Sequence, residues 1–180
     1  MKNLVILFLV FTYSALQAQD KTTFPADSNG KITYTEVISL NDSIKKDELF
    51  SRAKSTFVNL FKNSNRVIQN EDPTAGNITG KGNFPMYAKF LGSTKEMGSV
   101  SFTVSILVKD GKYKYVITDF NHSGNGGNVM SGGNLENGKP KNFWAKAWNE
   151  MMESVDVDTK YFIKNLKTEM LKPSPKADNW

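Results

Sequence analysis

Apolar and polar residues alternate from Ile32 to Leu40, where Ile32, Tyr34, Glu36, Ile38 and Leu40 are interleaved with Thr33, Thr35, Val37 and Ser39. A period of two in a β-branched and aromatic stretch predicts a strand. The period then lengthens: Leu49, Phe50, Ala53, Phe57, Leu60 and Phe61 recur three and four apart, which predicts an amphipathic helix with its apolar stripe on a sheet. Asn41-Asp42-Ser43 offers capping side chains ahead of it. After Asn63-Ser64-Asn65, Val67-Ile68-Gln69 reads as a short strand closed by a turn at Asp72-Pro73. A second strand runs from Ile78 to Phe84; Gly76, Gly80 and Gly82 make it twisted, bulged or close to an edge.

The clearest alternation follows. Val100, Phe102, Val104, Ile106 and Val108 interleave with Ser99, Ser101, Thr103 and Ser105; after Asp110-Gly111, Tyr113, Tyr115 and Ile117 resume the rhythm. An Asp-Gly pair between two such runs predicts a type I′ hairpin, whose central residues both take positive φ. A two-residue turn pairs Val108 with Tyr113, Ile106 with Tyr115 and Val104 with Ile117 on one apolar face. The other face pairs Leu107 with Lys114, Ser105 with Val116, Thr103 with Thr118 and Ser101 with Phe120, and is expected to meet solvent. Residues 123–142 hold six glycines and five asparagines, a composition expected to stay unpacked and mobile. Helical spacing returns in Phe143, Trp144, Ala147, Trp148, Met151 and Met152, and again in Tyr161, Phe162, Leu166 and Met170. Asp156-Val157-Asp158 between them implies two helices or one with a break, the aspartates serving as caps.

The N-terminus changes how the rest is read. Lys2 precedes an apolar run from Leu4 to Phe11, with the small residues Ala15 and Ala18 beyond it: the pattern of a secretory signal peptide spanning residues 1–18. The run is shorter than the roughly 20 apolar residues a membrane span needs, so no spanning segment is expected. No cysteine follows to carry a lipid anchor, and the periplasm or exterior is the expected location. With no cysteine at all, stability has to come from a buried core, which 39% hydrophobic residues and 12 phenylalanines can supply. The expected organisation is a flexible lead-in (19–30), one domain (31–172) and a disordered tail (173–180). The formal net charge of +5 is spread over scattered lysines.

The sequence assigns no catalytic, cofactor-binding or metal-ligating residue. His122 is the sole histidine, so a multi-histidine metal site is excluded and any Ser-His-Asp triad would have to be built on it. Strand alternation sends Asp119 and His122 to opposite faces, which leaves His122 as an ordinary surface residue at a strand end. Gly76-Asn77-Ile78-Thr79-Gly80-Lys81-Gly82 lacks the spacing, the hydroxyl after the lysine and the following helix of a phosphate loop. Glu153, Asp156 and Asp158 are too few for the six to eight oxygens of a calcium site. Trp144 and Trp148, one turn apart among Phe143 and Met151, are expected in the core.

The order strand, helix, short strand, glycine-marked strand, long hairpin, helix is similar to a bacterial family of unknown function described as TBP-like. So are the phrases Arg66-Val67-Ile68-Gln69-Asn70-Glu71-Asp72, Ala75 to Gly82 and Tyr115 to Phe120. That family occurs mainly in exported proteins of the Bacteroidota. The resemblance implies an α+β fold with a curved antiparallel sheet of about five strands (β-α-β-β-β-β-α) and helices on one face. It implies no activity, and fold likeness to TATA-binding protein does not carry nucleic-acid binding. The face with Ser101, Thr103, Ser105, Val116 and Thr118 lacks the arginines and aromatic wedges that grip a minor groove. The sequence therefore predicts a non-enzymatic binding or interaction module of the cell envelope that uses this face, with 123–142 as a cover and an envelope protein or small ligand as partner. A small hydrolase built on His122 and a structural subunit of an envelope assembly are the rival readings.

Overall fold

The computed structural model describes residues 22–61, 67–90, 92–127 and 129–174. The signal-peptide expectation (1–18) lies outside them, as do Arg66 and residues 175–180 of the expected tail. The alternating segments form one antiparallel sheet. Strands β1 (Tyr34–Ser39), β2 (Ile68–Asp72), β3 (Asn77–Phe90), β4 (Ser93–Lys109) and β5 (Lys112–Ser123) lie in the order β1-β5-β4-β3-β2. A two-residue β6 (Gly133–Asn134) pairs with β5 beyond the end of β1. Helices α1 (Lys46–Leu60) and α2 (Ala145–Leu171) pack on the same side of the sheet. Residues 85–90 and 93–97, where the pattern predicts nothing, lengthen β3 and β4 into a hairpin arm.

The β4–β5 register is the expected one from Val108↔Tyr113 to Thr103↔Thr118. Beyond it a bulge changes the pairing, so that Ser101 faces Asn121 instead of Phe120, and Phe120 turns into the core. The turn is also corrected. Only Gly111 has positive φ (+70°), so the pair is not type I′. Asp110 is instead committed to α1: its Oδ1 accepts the Lys46 N–H at 2.8 Å, supplying from across the fold one of the amide acceptors a helix start lacks. Asn41, an expected cap, closes a local turn by accepting the Ser43 N–H at 2.9 Å.

The core lies between the sheet and the two helices. Leu49, Phe50, Ala53 and Phe57 of α1 and Trp148, Met151, Val155, Phe162, Leu166 and Met170 of α2 form one buried cluster with the inward residues from Val100 to Val108 of β4. A Cβ on Gly80 would lie 2.5 Å from the Phe57 ring, and one on Gly82 would lie 2.4 Å from the Phe102 ring. The two glycines thus give aromatic side chains room to lie flat on β3. Helix α2 is continuous through Asp156 and Asp158, which are not caps: Asp156 accepts the Tyr34 O–H (2.6 Å) and Lys160 Nζ (2.7 Å), and Asp158 accepts Ser154 Oγ (3.2 Å).

Three segments expected to be loose are packed where described. In the lead-in, Phe24 packs on the core, the Thr33 N–H donates to Pro25 O (2.9 Å), and Asp27 Oδ1 accepts the Asn29 and Lys31 amides. Within 123–142, β6 and a 3₁₀ turn (Leu135–Asn137) bury Leu135, because one well-placed apolar anchor and glycine-permitted pairing suffice where composition suggested nothing to bury. At the tail, the Ser174 N–H donates to Glu48 Oε1 at 2.9 Å.

Candidate functional site

No helix covers the second face of the sheet among the described residues. Cross-strand pairing arranges it in rows: Ser39, Lys112 and Lys109; Val37, Lys114, Leu107 and Asn77; Thr35, Val116, Ser105 and Thr79; then Thr118, Thr103 and Lys81. The hydroxyls are largely satisfied within the face. Thr79 Oγ1 and Ser105 Oγ lie 2.8 Å apart, and Thr118 Oγ1 donates to Ile32 O at 3.0 Å. The hairpin end differs in character. Val37 is 58% exposed and Leu107 40%; the exposed Lys114 lies between them in their row, and the exposed Lys109 and Lys112 stand in the next.

At the other end of the face the β5 bulge forms a shallow polar pocket of about 350 Å³ that includes Lys81, Ser101, Thr103, Asp119, Asn121 and Asn134. Asp119 is the only non-glycine among the described residues with positive φ (60°). Lys31, ion-paired with it, and then Thr103 and Lys81 hold its carboxyl below the usual carboxylate range against a smaller opposing effect of burial. Asn121 Nδ2 donates to Asn134 Oδ1 at 2.6 Å. The acid is already neutralised, and no imidazole faces it.

His122 is placed otherwise than expected. It is fully buried on the helix side of the sheet: the Gly132 N–H donates to Nδ1 at 2.9 Å, and Nε2 donates to Met97 O at 2.6 Å. The Gly132 contact makes Nδ1 the acceptor and so places the ring proton on Nε2. Phe143 and Trp148 meet the ring edge-on. The bulge, unrecognised in the sequence, carries both Phe120 and His122 inward and leaves Asp119 outside, so Asp119 and His122 are on opposite faces, as expected, but with their sides exchanged. His122 therefore ties Gly132 to Met97 and offers no nitrogen to a substrate. Of the expected cover, Asn134 reaches the edge of the open face at the polar pocket, and Gly127 and Val129 lie beside Trp144 and Ala147 at the start of α2.

The tryptophans divide. Trp148 is in the core, as expected, whereas Trp144 at the start of α2 is 48% exposed. Tyr161, expected on the buried stripe, is also exposed. Gly76 closes the turn before β3 (φ +69°), and Gly80 and Gly82 receive rings, so the glycine run cradles no phosphate. Among the described residues no group of three or more acidic or histidine side chains could hold a metal ion, and no helix is long and apolar enough to cross a membrane.

An antiparallel sheet with two helices on one side and a bare, hydroxyl-rich face on the other defines an α+β protein of the TBP-like class. Residues 34–123 match the family described as a domain of unknown function (DUF4468) with TBP-like fold, and the chain belongs to that family. Two crystal structures share the fold. A DUF4468 family protein from Bacteroides ovatus is 12% identical, with TM-score 0.64 over 84% of this chain and 92% of that one. A TBP-like protein from Parabacteroides distasonis is 14% identical, with TM-score 0.63 over 82% and 97%. No curated protein matches the sequence.

Proposed function

We propose that this chain is an exported, non-catalytic binding module that docks the acidic surface of a partner protein on its open sheet face. The observation that carries the reading is the hairpin end of that face, where the exposed Val37 and Leu107 flank Lys114 in one row and the exposed Lys109 and Lys112 stand in the next. Exposed aliphatics interleaved with lysines fit a partner that presents apolar groups and carboxylates side by side. A flat aliphatic patch with lysines, and no arginine fork or inserted aromatic, is a poorer match for a nucleic acid. The hydrolase reading has lost its residue, since His122 is buried with both nitrogens engaged. A permanent place in an envelope assembly would use the same face and differ in the lifetime of the complex. Export rests on the Lys2-to-Ala18 pattern, and N-terminal sequencing of the secreted chain tests it.

The docking test places a photo-crosslinker at Ser105 on the open face and, as a control, at exposed Ser51 on α1. The Ser105 probe is expected to capture an acidic protein in its native cells, and a K109E/K112E/K114E variant to lose the capture. Equal capture from both positions, or salt-sensitive binding of a duplex oligonucleotide by the same face, would overturn the reading.

A further inference from the structure

A second concavity lies on the other side of the sheet, at the far end of the β3–β4 arm. It is a cleft of about 700 Å³, whose walls include Ala88, Lys95, Glu96, Met97, Val129 and Trp144. That volume is in the range of small-molecule sites, and the lining has the usual composition of an apolar enclosure with a few polar groups.

The way the chain builds this cleft determines its chemistry. The β3–β4 register slips between Pro85 and Tyr87, so β4 carries one more residue than β3 there. Gly98 sits in the slip with φ +91°, where a Cβ would come 2.0 Å from Ser123 O, so only glycine fits. The extra residue reverses the alternation of β4. Met97 and Lys95 therefore join Ala88 on the side facing α2; Lys95 is paired directly with Ala88 and Glu96 with Tyr87, and Glu96 still borders the cleft, where its carbonyl oxygen accepts Asn125 Nδ2. Lys95 has no ion-pair partner among the described residues. Ala88 and Ala147, both buried, keep the floor low, and the half-exposed Trp144 stands at the mouth. The far wall is held in place: the Gly124 N–H donates to Ser131 Oγ at 3.0 Å, Asn125 Nδ2 donates to Glu96 O at 3.4 Å, and His122 ties Gly132 to Met97.

We infer that this cleft is a binding site for a small organic anion with an aromatic or branched apolar body, the body lying on Trp144, Met97 and Val129 and the anionic group meeting Lys95. The site is on the helix side of the sheet and is independent of the docking face.

The chain has three tryptophans, at 144, 148 and 180, so its indole N–H resonances can be followed one by one in a nitrogen-15 NMR titration, with W144F assigning the relevant peak. Naphthalene-2-sulfonate is the probe. The Trp144 resonance is expected to shift saturably, with affinity about tenfold weaker in K95M and restored in K95R. The neutral 2-naphthalenemethanol should bind about tenfold more weakly than the sulfonate. The proposal is overturned by the absence of a saturable shift, by equal affinities in the wild type and K95M, or by shifts confined to Thr103, Ser105 and Lys114 on the open face. Lys95 and Trp144 are at the surface, so unchanged unfolding midpoints in the variants ensure that a lost shift reports lost binding.

Discussion

Asp119 is the residue at which β5 reverses its faces. Strict alternation from Tyr113 would leave Phe120 on the solvent side, and that is how the sequence reads. The structure instead places one extra residue at φ 60°, and Phe120 and His122 both turn inward. Aspartate tolerates the left-handed region better than most residues, and a β-branched side chain tolerates it worst. Asp119→Val is therefore expected to lower stability by about 1–2 kcal/mol, and Asp119→Gly to leave it within about 0.5 kcal/mol, as read from urea unfolding midpoints. Equal losses in the two variants would show that the Lys31 ion pair, and not the backbone, sets the residue type. The sequence did hold a sign of this bulge: a large aromatic at an outward position next to a residue that tolerates positive φ. Alternation alone could not place it, because an inserted residue leaves the composition unchanged. The buried position of His122 was missed for the same reason.

At the scale of elements, the helix stripes, the hairpin and the mutual position of sheet and helices were legible, since each follows from a period that repeats over many residues. What was not legible depends on partners distant in sequence. The start of α1 is satisfied by Asp110 from the hairpin turn, 64 residues on, so local capping signals pointed a few residues too early. Helix α2 passes through Asp156 unbroken because Tyr34 of β1 donates to it from across the core. The glycines of β3 were read as twist, whereas each makes room for a packed ring, Phe57 of α1 at Gly80 and Phe102 of β4 at Gly82. Gly80 faces Phe57, and a methyl group there would sit 2.5 Å from the ring and 2.9 Å from Val67 O, with backbone on one side and packed core on the other. Gly80→Ala is expected to cost about 1–3 kcal/mol in equilibrium unfolding. The double variant Gly80→Ala/Phe57→Leu should lose less than the two single losses added together, because the smaller side chain vacates the space. Strict additivity would mean that the glycine is needed for backbone freedom alone.

Across the whole molecule, α2 is a rod about 40 Å long laid over the sheet, and its far end is fastened to the first turns of α1. Arg52 Nη1 reaches the carbonyl oxygens of Met170 and Leu171 at 3.4 Å, and Arg52 Nε donates to Glu48 at 2.7 Å. Glu48 in turn accepts the Ser174 N–H at 2.9 Å and the Ser174 hydroxyl. Burial by itself would raise the Glu48 carboxyl, but Ser174 and Arg52 outweigh it and hold the group at about 2. A folded-state value below the ordinary glutamate value of about 4.3 means that the ionised form is favoured by folding. The stabilisation is fully present above pH 4.3 and is lost as pH falls towards 2. Because a third of the side chain meets solvent, its size is of the order of 1 kcal/mol and well short of the full linkage value. Glu48→Gln should therefore unfold at lower urea than the wild type at pH 6, and the gap should close between pH 4.3 and 2 as the wild type loses its carboxylate. A gap that persists unchanged at pH 2 would mean that the packing of α2 on α1, and not the charge of Glu48, fastens the rod.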